Sequence, residues 1–240
     1  MPIYLIFLIY VLLGLSNVSL AIEQKNLERS LHSYYQLNIN INRYWMNDSN
    51  LKYKAETVTS LELMNRAMKN LLDKKYPAEE YKEIKNSWIS VNNFINENSL
   101  IEKGYSDVSL IASYRVYLDK VRQAMLQRYH HHPATSDISN ILMLFDRIIS
   151  TYVEVNTDAF GSFIRSATDE DMNLAKIADK IDFNLEKLDK TNSISKMDLK
   201  IIKTKWNFIR RIVADSNSQS LPFIVLLNGR KIIQVLEKYN

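Results

Sequence analysis

Beyond Ala21 this 240-residue chain has only three glycines, Gly104, Gly161 and Gly229, and three prolines, Pro77, Pro133 and Pro222. Both residue types interrupt regular structure, glycine through its backbone freedom and proline through its fixed φ and missing N–H. A chain so poor in them is expected to fold into long helices with short connections. The breakers also sit where helices would start or stop. Pro77 precedes Ala78-Glu79-Glu80, proline in a first turn with carboxylates at the positive end of the dipole. Pro222 opens an apolar run after Ser220-Leu221, and Pro133 begins Pro-Ala-Thr-Ser-Asp, the clearest internal loop.

Apolar residues at helical spacing fill the segments between these points. Leu27, Leu31, Tyr34, Tyr35, Asn38, Ile41 and Trp45 mark a first helix over Glu23 to Met46. Leu61, Met64, Met68 and Leu71 mark a second, and Ile84, Trp88, Val91 and Ile95 a third that starts at Pro77. A fourth carries Val108, Ile111, Tyr114, Leu118, Val121 and Met125, with Ser106 as its N-cap. Ser136 can cap a fifth helix, which holds Ile141, Phe145, Ile148 and Tyr152. Thr168 with Asp171, and Ser195 with Asp198, have the spacing of capping boxes for a sixth and a seventh. The eighth runs from Pro222 to the end of the sequence.

Eight helices in two sets of four point to an internal repeat. With Trp88 placed on Trp206, an offset of 118, Val91 falls on Ile209, Phe94 on Ile212 and Ile95 on Val213. After one three-residue gap the offset is 115, and Leu110 meets Val225, Arg115 meets Arg230, Leu118 meets Ile233 and Val121 meets Leu236. The expected fold is therefore all-α: two tandem antiparallel four-helix units after an N-terminal signal peptide. The boundaries are 1–21 for the signal peptide, 22–132 for the first unit and 133–240 for the second.

The signal peptide rests on the run from Ile3 to Leu15, which carries no charge; the first charged side chain is Glu23. Ser19 and Ala21 put small residues where signal peptidase cuts, so cleavage after Ala21 is expected and the protein is periplasmic or secreted. No Lys or Arg precedes the run, which leaves an uncleaved anchor from Ile3 to Ile22 as the alternative, and only then a membrane association. The 31 basic and 27 acidic groups are interleaved, with no stripe suited to nucleic acid. With no cysteine at all, disulfide scaffolds and thiolate metal sites are excluded.

Few residues carry obvious chemistry. His130, His131 and His132 are metal-ligand types in a row, but on a helix they point about 100° apart and cannot converge on one tetrahedral ion. They fit a polar helix end before Pro133 at least as well. His32, beside Leu31 and Tyr34, reads as a satisfied, partly buried histidine. Asp169-Glu170-Asp171 and Glu79-Glu80 sit where helix starts favour carboxylates. No nucleophile elbow, phosphate-binding glycine loop or zinc-protease motif occurs, so neither an enzyme nor a cofactor is expected. Aromatic residues remain as a possible partner or ligand surface: Tyr34, Tyr35, Tyr44 and Trp45 on the first helix, with Tyr105, Tyr114 and Tyr117 around the fourth.

The stretches from Trp88 through Gly104-Tyr105 to Tyr129, and from Trp206 to Tyr239, resemble the extracytoplasmic four-helix sensor modules of the type IV pili methyl-accepting chemotaxis transducer N-terminal kind. That family's Asn-x-Ala-Gly-x-Gln-Arg-Met-Leu-Ser-Gln-Arg signature is absent, and Leu63-Met64-Asn65-Arg66-Ala67-Met68 is only an echo of it, so no ligand-contacting position carries over. The resemblance implies extracytoplasmic binding or sensing. The function expected is that of an exported, non-enzymatic protein binding an envelope protein or a small ligand. The alternatives are an envelope scaffold and metal binding through the histidine run.

Overall fold

The computed structural model describes residues 2–47, 50–72, 79, 81–102, 108–130, 135–157, 173–214 and 221–240; side chains are described from residue 21 onward, except those of 108, 130 and 157. Among the described residues the chain is all-helical: α1 Pro2–Met46, α2 Leu51–Leu71, α3 Lys82–Glu97, α4 Val108–His130, α5 Asp137–Thr157, α6 Leu174–Thr191, α7 Lys196–Ala214 and α8 Pro222–Leu236. A 3₁₀ turn, Glu237–Tyr239, follows α8. Among the residues whose side chains are described, from 21 onward, no helix is long and apolar enough to cross a membrane.

The helix starts follow local chemistry. Ser136 Oγ accepts the Ser139 N–H at 3.0 Å ahead of α5, and Ser195 Oγ accepts the Asp198 N–H at 3.1 Å ahead of α7. Pro222 takes the first turn of α8, where its missing N–H costs nothing. Two starts differ from expectation. Asn173, not Thr168, caps α6 by accepting the Lys176 N–H at 3.0 Å; Thr168 and Asp171 lie outside the described residues. α3 begins at Lys82 rather than Pro77, which is also outside them, as is the expected cap Ser106. α6 ends on Asn192 at φ 51°, a left-handed position that asparagine tolerates better than most residues.

The apolar stripes collapse into two cores. One is built by α1 to α4 around Leu31, Tyr35, Met68, Trp88, Tyr114 and Met125, with Met143 of α5 joining it. The other is built by α5 to α8 around Phe145, Ile148, Ile181, Ile202, Trp206 and Ile232, with Ile39 of α1 joining it. Within each set the chain turns back on itself. Arg43 meets Glu56 while Asn40 meets Ser60, so α1 and α2 are antiparallel. Lys203 meets Asp189 while Arg210 meets Asp179, so α6 and α7 are as well.

The two cores are joined along α1 and α5, and here the contacts advance in the same direction. His32 bonds Asp146, and Asn38 donates to both Ser150 Oγ and Glu154 Oε2 at 2.9 Å. α1 and α5 therefore run parallel, with a polar seam between them. Asn38, Asn42, Asp146, Ser150 and Glu154 are all buried. Arg115 of α4 reaches the same seam at Asn42 Oδ1, 3.1 Å away.

Among the described residues, glycine matters structurally at Gly229. Gly229 of α8 lies so close to α5 that a Cβ there would overlap Ile149 Cδ1 and stand 2.7 Å from its Cγ1. Ile149 is fully buried and has little room to yield. Gly229→Ala should therefore lower stability by about 1 kcal/mol, overpacking outweighing the gain in helix propensity. Urea denaturation should also show the loss recovered when Ile149→Val is added; a stabilised single variant would contradict the close approach.

Candidate functional site

The lone carboxylate in the apolar run Ile141 to Ile149 organises the site. Asp146 is fully buried on α5, where an isolated charge would cost several kcal/mol. Two α1 side chains meet it: His32 Nδ1 lies 2.5 Å from Oδ2, and Gln36 Nε2 donates to Oδ1 at 2.8 Å. His32 and Gln36 are one helical turn apart, so a single face of α1 presents both. The other imidazole nitrogen, Nε2, lies 3.4 Å from Glu237 Oε1. Burial by itself would depress the His32 pKa. The charge and hydrogen bond of Asp146, with Glu237 adding to them, outweigh burial and raise it from 6.5 to about 10. His32 is thus an imidazolium with both ring nitrogens committed.

Glu237 is placed by the end of the chain. The Tyr239 hydroxyl donates to Asp198 Oδ2 at 2.7 Å, which ties the 3₁₀ turn to the start of α7. This hydrogen bond, opposed by desolvation and helped by Lys238, holds the Asp198 carboxyl below its ordinary value. Asn240 Oδ1 accepts from Ser139 Oγ at 2.5 Å, bringing the same segment against α5. On the opposite side Glu28 accepts from the N–H and the hydroxyl of Thr135, both at 2.7 Å.

Above Asp146 these elements leave a cleft of about 720 Å³, within the range of small-molecule sites. α1 contributes Lys25, Glu28, Arg29 and His32; α2 contributes Leu63, Arg66, Ala67 and Asn70. α5 supplies Ser139, Leu142, Met143 and Asp146, and the C-terminal turn supplies Glu237 and Tyr239. Lys25, Arg29 and Arg66 have no ion-pair or hydrogen-bond partner among the described residues. As an assembly, the cleft offers fixed positive charge and an apolar wall. The imidazolium has no lone pair with which to take a proton near neutral pH.

The expected aromatic surface lies elsewhere, mostly inside the core. Tyr34, Tyr35, Tyr44 and Tyr114 are buried. Tyr34 and Tyr35 meet edge to face at 5.2 Å, and the Tyr44 hydroxyl donates to the Ile101 carbonyl at 3.1 Å. Half-buried Trp45 packs edge-on against Tyr114 at 5.4 Å, and half-buried Tyr117 stands 5.2 Å from Phe94. Burial pushes the Tyr114 phenol far up, only partly offset by Arg115. Rings at helical spacing here serve packing, and Tyr105 lies outside the described residues. So do His131, His132 and the side chain of His130, and no metal-binding group of three or more His, Asp or Glu occurs among the described residues.

His32 is half-buried and hydrogen-bonded, as its apolar neighbours suggest. The cleft itself was not visible from spacing, because its residues come from both ends and the middle of the chain. One signal was available: Asp146-Arg147 interrupts an otherwise apolar run, Leu142-Met143-Leu144-Phe145 before it and Ile148-Ile149 after, and a charge so placed needs a buried partner. No protein family, curated protein or solved structure matches this chain.

The raised pKa gives a pH test. His32 contributes stability in full below pH 6.5, and that contribution is lost as pH rises through about 10. Followed by NMR, the His32 ring should remain protonated above pH 8. In Asp146→Asn, burial prevails and the ring should titrate below 6.5. A wild-type midpoint near 6.5 would contradict the buried pair.

Proposed function

We propose that this chain is an exported, non-enzymatic binding protein whose cleft between α1, α2, α5 and the C-terminal turn takes a small ligand. The observation that carries this reading is the cleft itself. It is about 720 Å³, walled by Leu63, Leu142 and Met143 and rimmed by uncommitted cations. The dyad beneath it favours binding over catalysis, since His32 has its nitrogens engaged by two carboxylates.

Export is supported by the uncharged run from Ile3 to Leu15 and the small residues Ser19 and Ala21. Past them, Glu23 is buried and held by Arg128 at 2.7 Å and by the Tyr81 hydroxyl. A tandem duplication with units 22–132 and 133–240 is supported by the two indoles. Trp88 donates to Asn65 Oδ1 on α2, and Asn92 donates to the same oxygen. Trp206 donates to Asp182 Oδ1 on α6, and Arg210 donates to the same carboxylate. The donors Trp88 and Asn92 fall on Trp206 and Arg210 at the offset of 118, while the acceptors Asn65 and Asp182 are 117 apart. A binding role also agrees with the resemblance to extracytoplasmic sensor modules.

A scaffold role is the second reading, favoured by the exposed side chains of Phe183, Met197, Phe208, Phe223 and Leu227 on α6 to α8. Thermal denaturation against a panel of small acids, sugars, amines and phosphates separates the two. A ligand at a hundred times its Kd stabilises by about 2.7 kcal/mol, which in a chain of this size raises Tm by roughly 5–10 °C. The rise should vanish in Ala67→Trp, which fills the cleft from α2. No shift with any compound, together with co-purification of an envelope protein, would favour the scaffold.

A further inference from the structure

The charged side chains of the cleft fall into two sets. Its acids are engaged: Asp146 by His32 and Gln36, Glu237 by His32, and Glu28 by the backbone and hydroxyl of Thr135. Its remaining cations are not: Lys25, Arg29 and Arg66 line the cleft with no partner among the described residues. These three leave N–H donors uncommitted around one concavity, and together with the His32 imidazolium they exceed its side-chain carboxylates, Glu28, Asp146 and Glu237, by one charge.

The helix register brings the two arginines together. α1 and α2 are antiparallel, with Asn40 against Ser60 and Arg43 against Glu56. Stepping down α1 and up α2 from those pairs puts Arg66 at about the level of Ser33, one turn from Arg29. Guanidinium groups match carboxylate and phosphate oxygens with parallel N–H donors, and a half-enclosed site screens them less than open surface does. Beside them, Leu63 and Ala67 of α2 with Leu142 and Met143 of α5 give the cleft an apolar wall suited to the body of a small molecule.

We infer that the cleft takes a small amphiphilic anion, its carboxylate or phosphate held by Arg29 and Arg66 with Lys25 beside them, and its apolar part against Leu63, Leu142 and Met143. This rests on the reading of the cleft as a ligand site and narrows it to one chemical class.

Titration calorimetry on the full chain with phenylacetate, phenyl phosphate and uncharged 2-phenylethanol tests it. At least one anion should bind about tenfold or more tightly than the alcohol, and the stronger of the two identifies the oxyanion. Arg29→Gln and Arg66→Gln should each weaken that anion by about tenfold, the size of one lost charge-assisted hydrogen bond, and added salt should weaken it further. Both arginines are exposed, so the variants should keep the wild-type Tm. The inference is overturned if neither anion outbinds the alcohol, or if anion affinity is unchanged in both arginine variants. An uncharged compound whose binding is lost in Ala67→Trp would then keep the cleft as a ligand site and remove only its anion preference.

Discussion

A carboxylate buried without a cation would be too costly for a protein of ordinary stability, so Asp146 dictates where α1 must lie against α5. His32 and Gln36 can both reach it only at one axial level of α1 against α5, and the advance from His32–Asp146 to Asn38–Glu154 makes the two helices parallel. That position in turn aligns Asn38 with Ser150 and Glu154, and brings Arg115 of α4 onto Asn42. A seam of this kind is a poor source of net stability, because desolvation consumes much of what pairing returns. Its effect is on register. An apolar interface would tolerate sliding by a turn, whereas here a slip leaves Asp146 and Glu154 unpaired in the interior.

The cores on either side supply the driving force. Trp206 meets Phe145 edge to face at 5.3 Å, and Gly229 lets α8 settle against Ile149, so the α5 to α8 core is closely packed where α5 turns its apolar side inward. α1 and α5 each give one face to their own core and another to the seam. The cleft is a consequence of this division. It opens where the seam reaches His32 and the C-terminal turn folds back against α5. The Tyr239–Asp198 and Ser139–Asn240 hydrogen bonds hold Glu237 in reach of the imidazole. A network at the other end of α1, in which Arg230 of α8 meets Glu56 and Asn40 while Arg43 meets Glu56, ties the two halves again.

How much of this was legible depends on the kind of information a residue carries. Helical period and capping residues are local, and they placed the ends of α1, α5, α7 and α8 correctly from Met46, Ser136, Ser195 and Pro222. The indoles of Trp88 and Trp206 stand on the apolar stripes that helical period marks, and each is bonded to the preceding helix. Aromatic spacing was a weaker guide: Tyr34, Tyr35, Tyr44 and Tyr114 repeat at core positions, and periodicity cannot tell a core ring from a ligand-facing one. The seam was hidden for the opposite reason. Asn38 falls on the stripe that marks the first helix, but Asn42, Ser150 and Glu154 are polar and so read as surface, yet all four are buried where α1 meets α5, across more than a hundred residues of sequence. The cleft combines residues near 30, 66, 140 and 237, a grouping that only the parallel pairing of α1 with α5 creates.

The chain has no cysteine, which makes that pairing directly measurable. Asn38 and Ser150 are in side-chain contact at 2.9 Å, so Asn38→Cys with Ser150→Cys places two thiols within disulfide reach if α1 and α5 are parallel in this register. The control pairs Asn38→Cys with Asp137→Cys, which lies about 20 Å away along the α5 axis at 1.5 Å per residue. Mild oxidation of the folded protein should close the first pair essentially completely and leave the second reduced. Closure of the control pair, or a first pair that stays open while the protein remains folded, would contradict the polar seam and the cleft built on it.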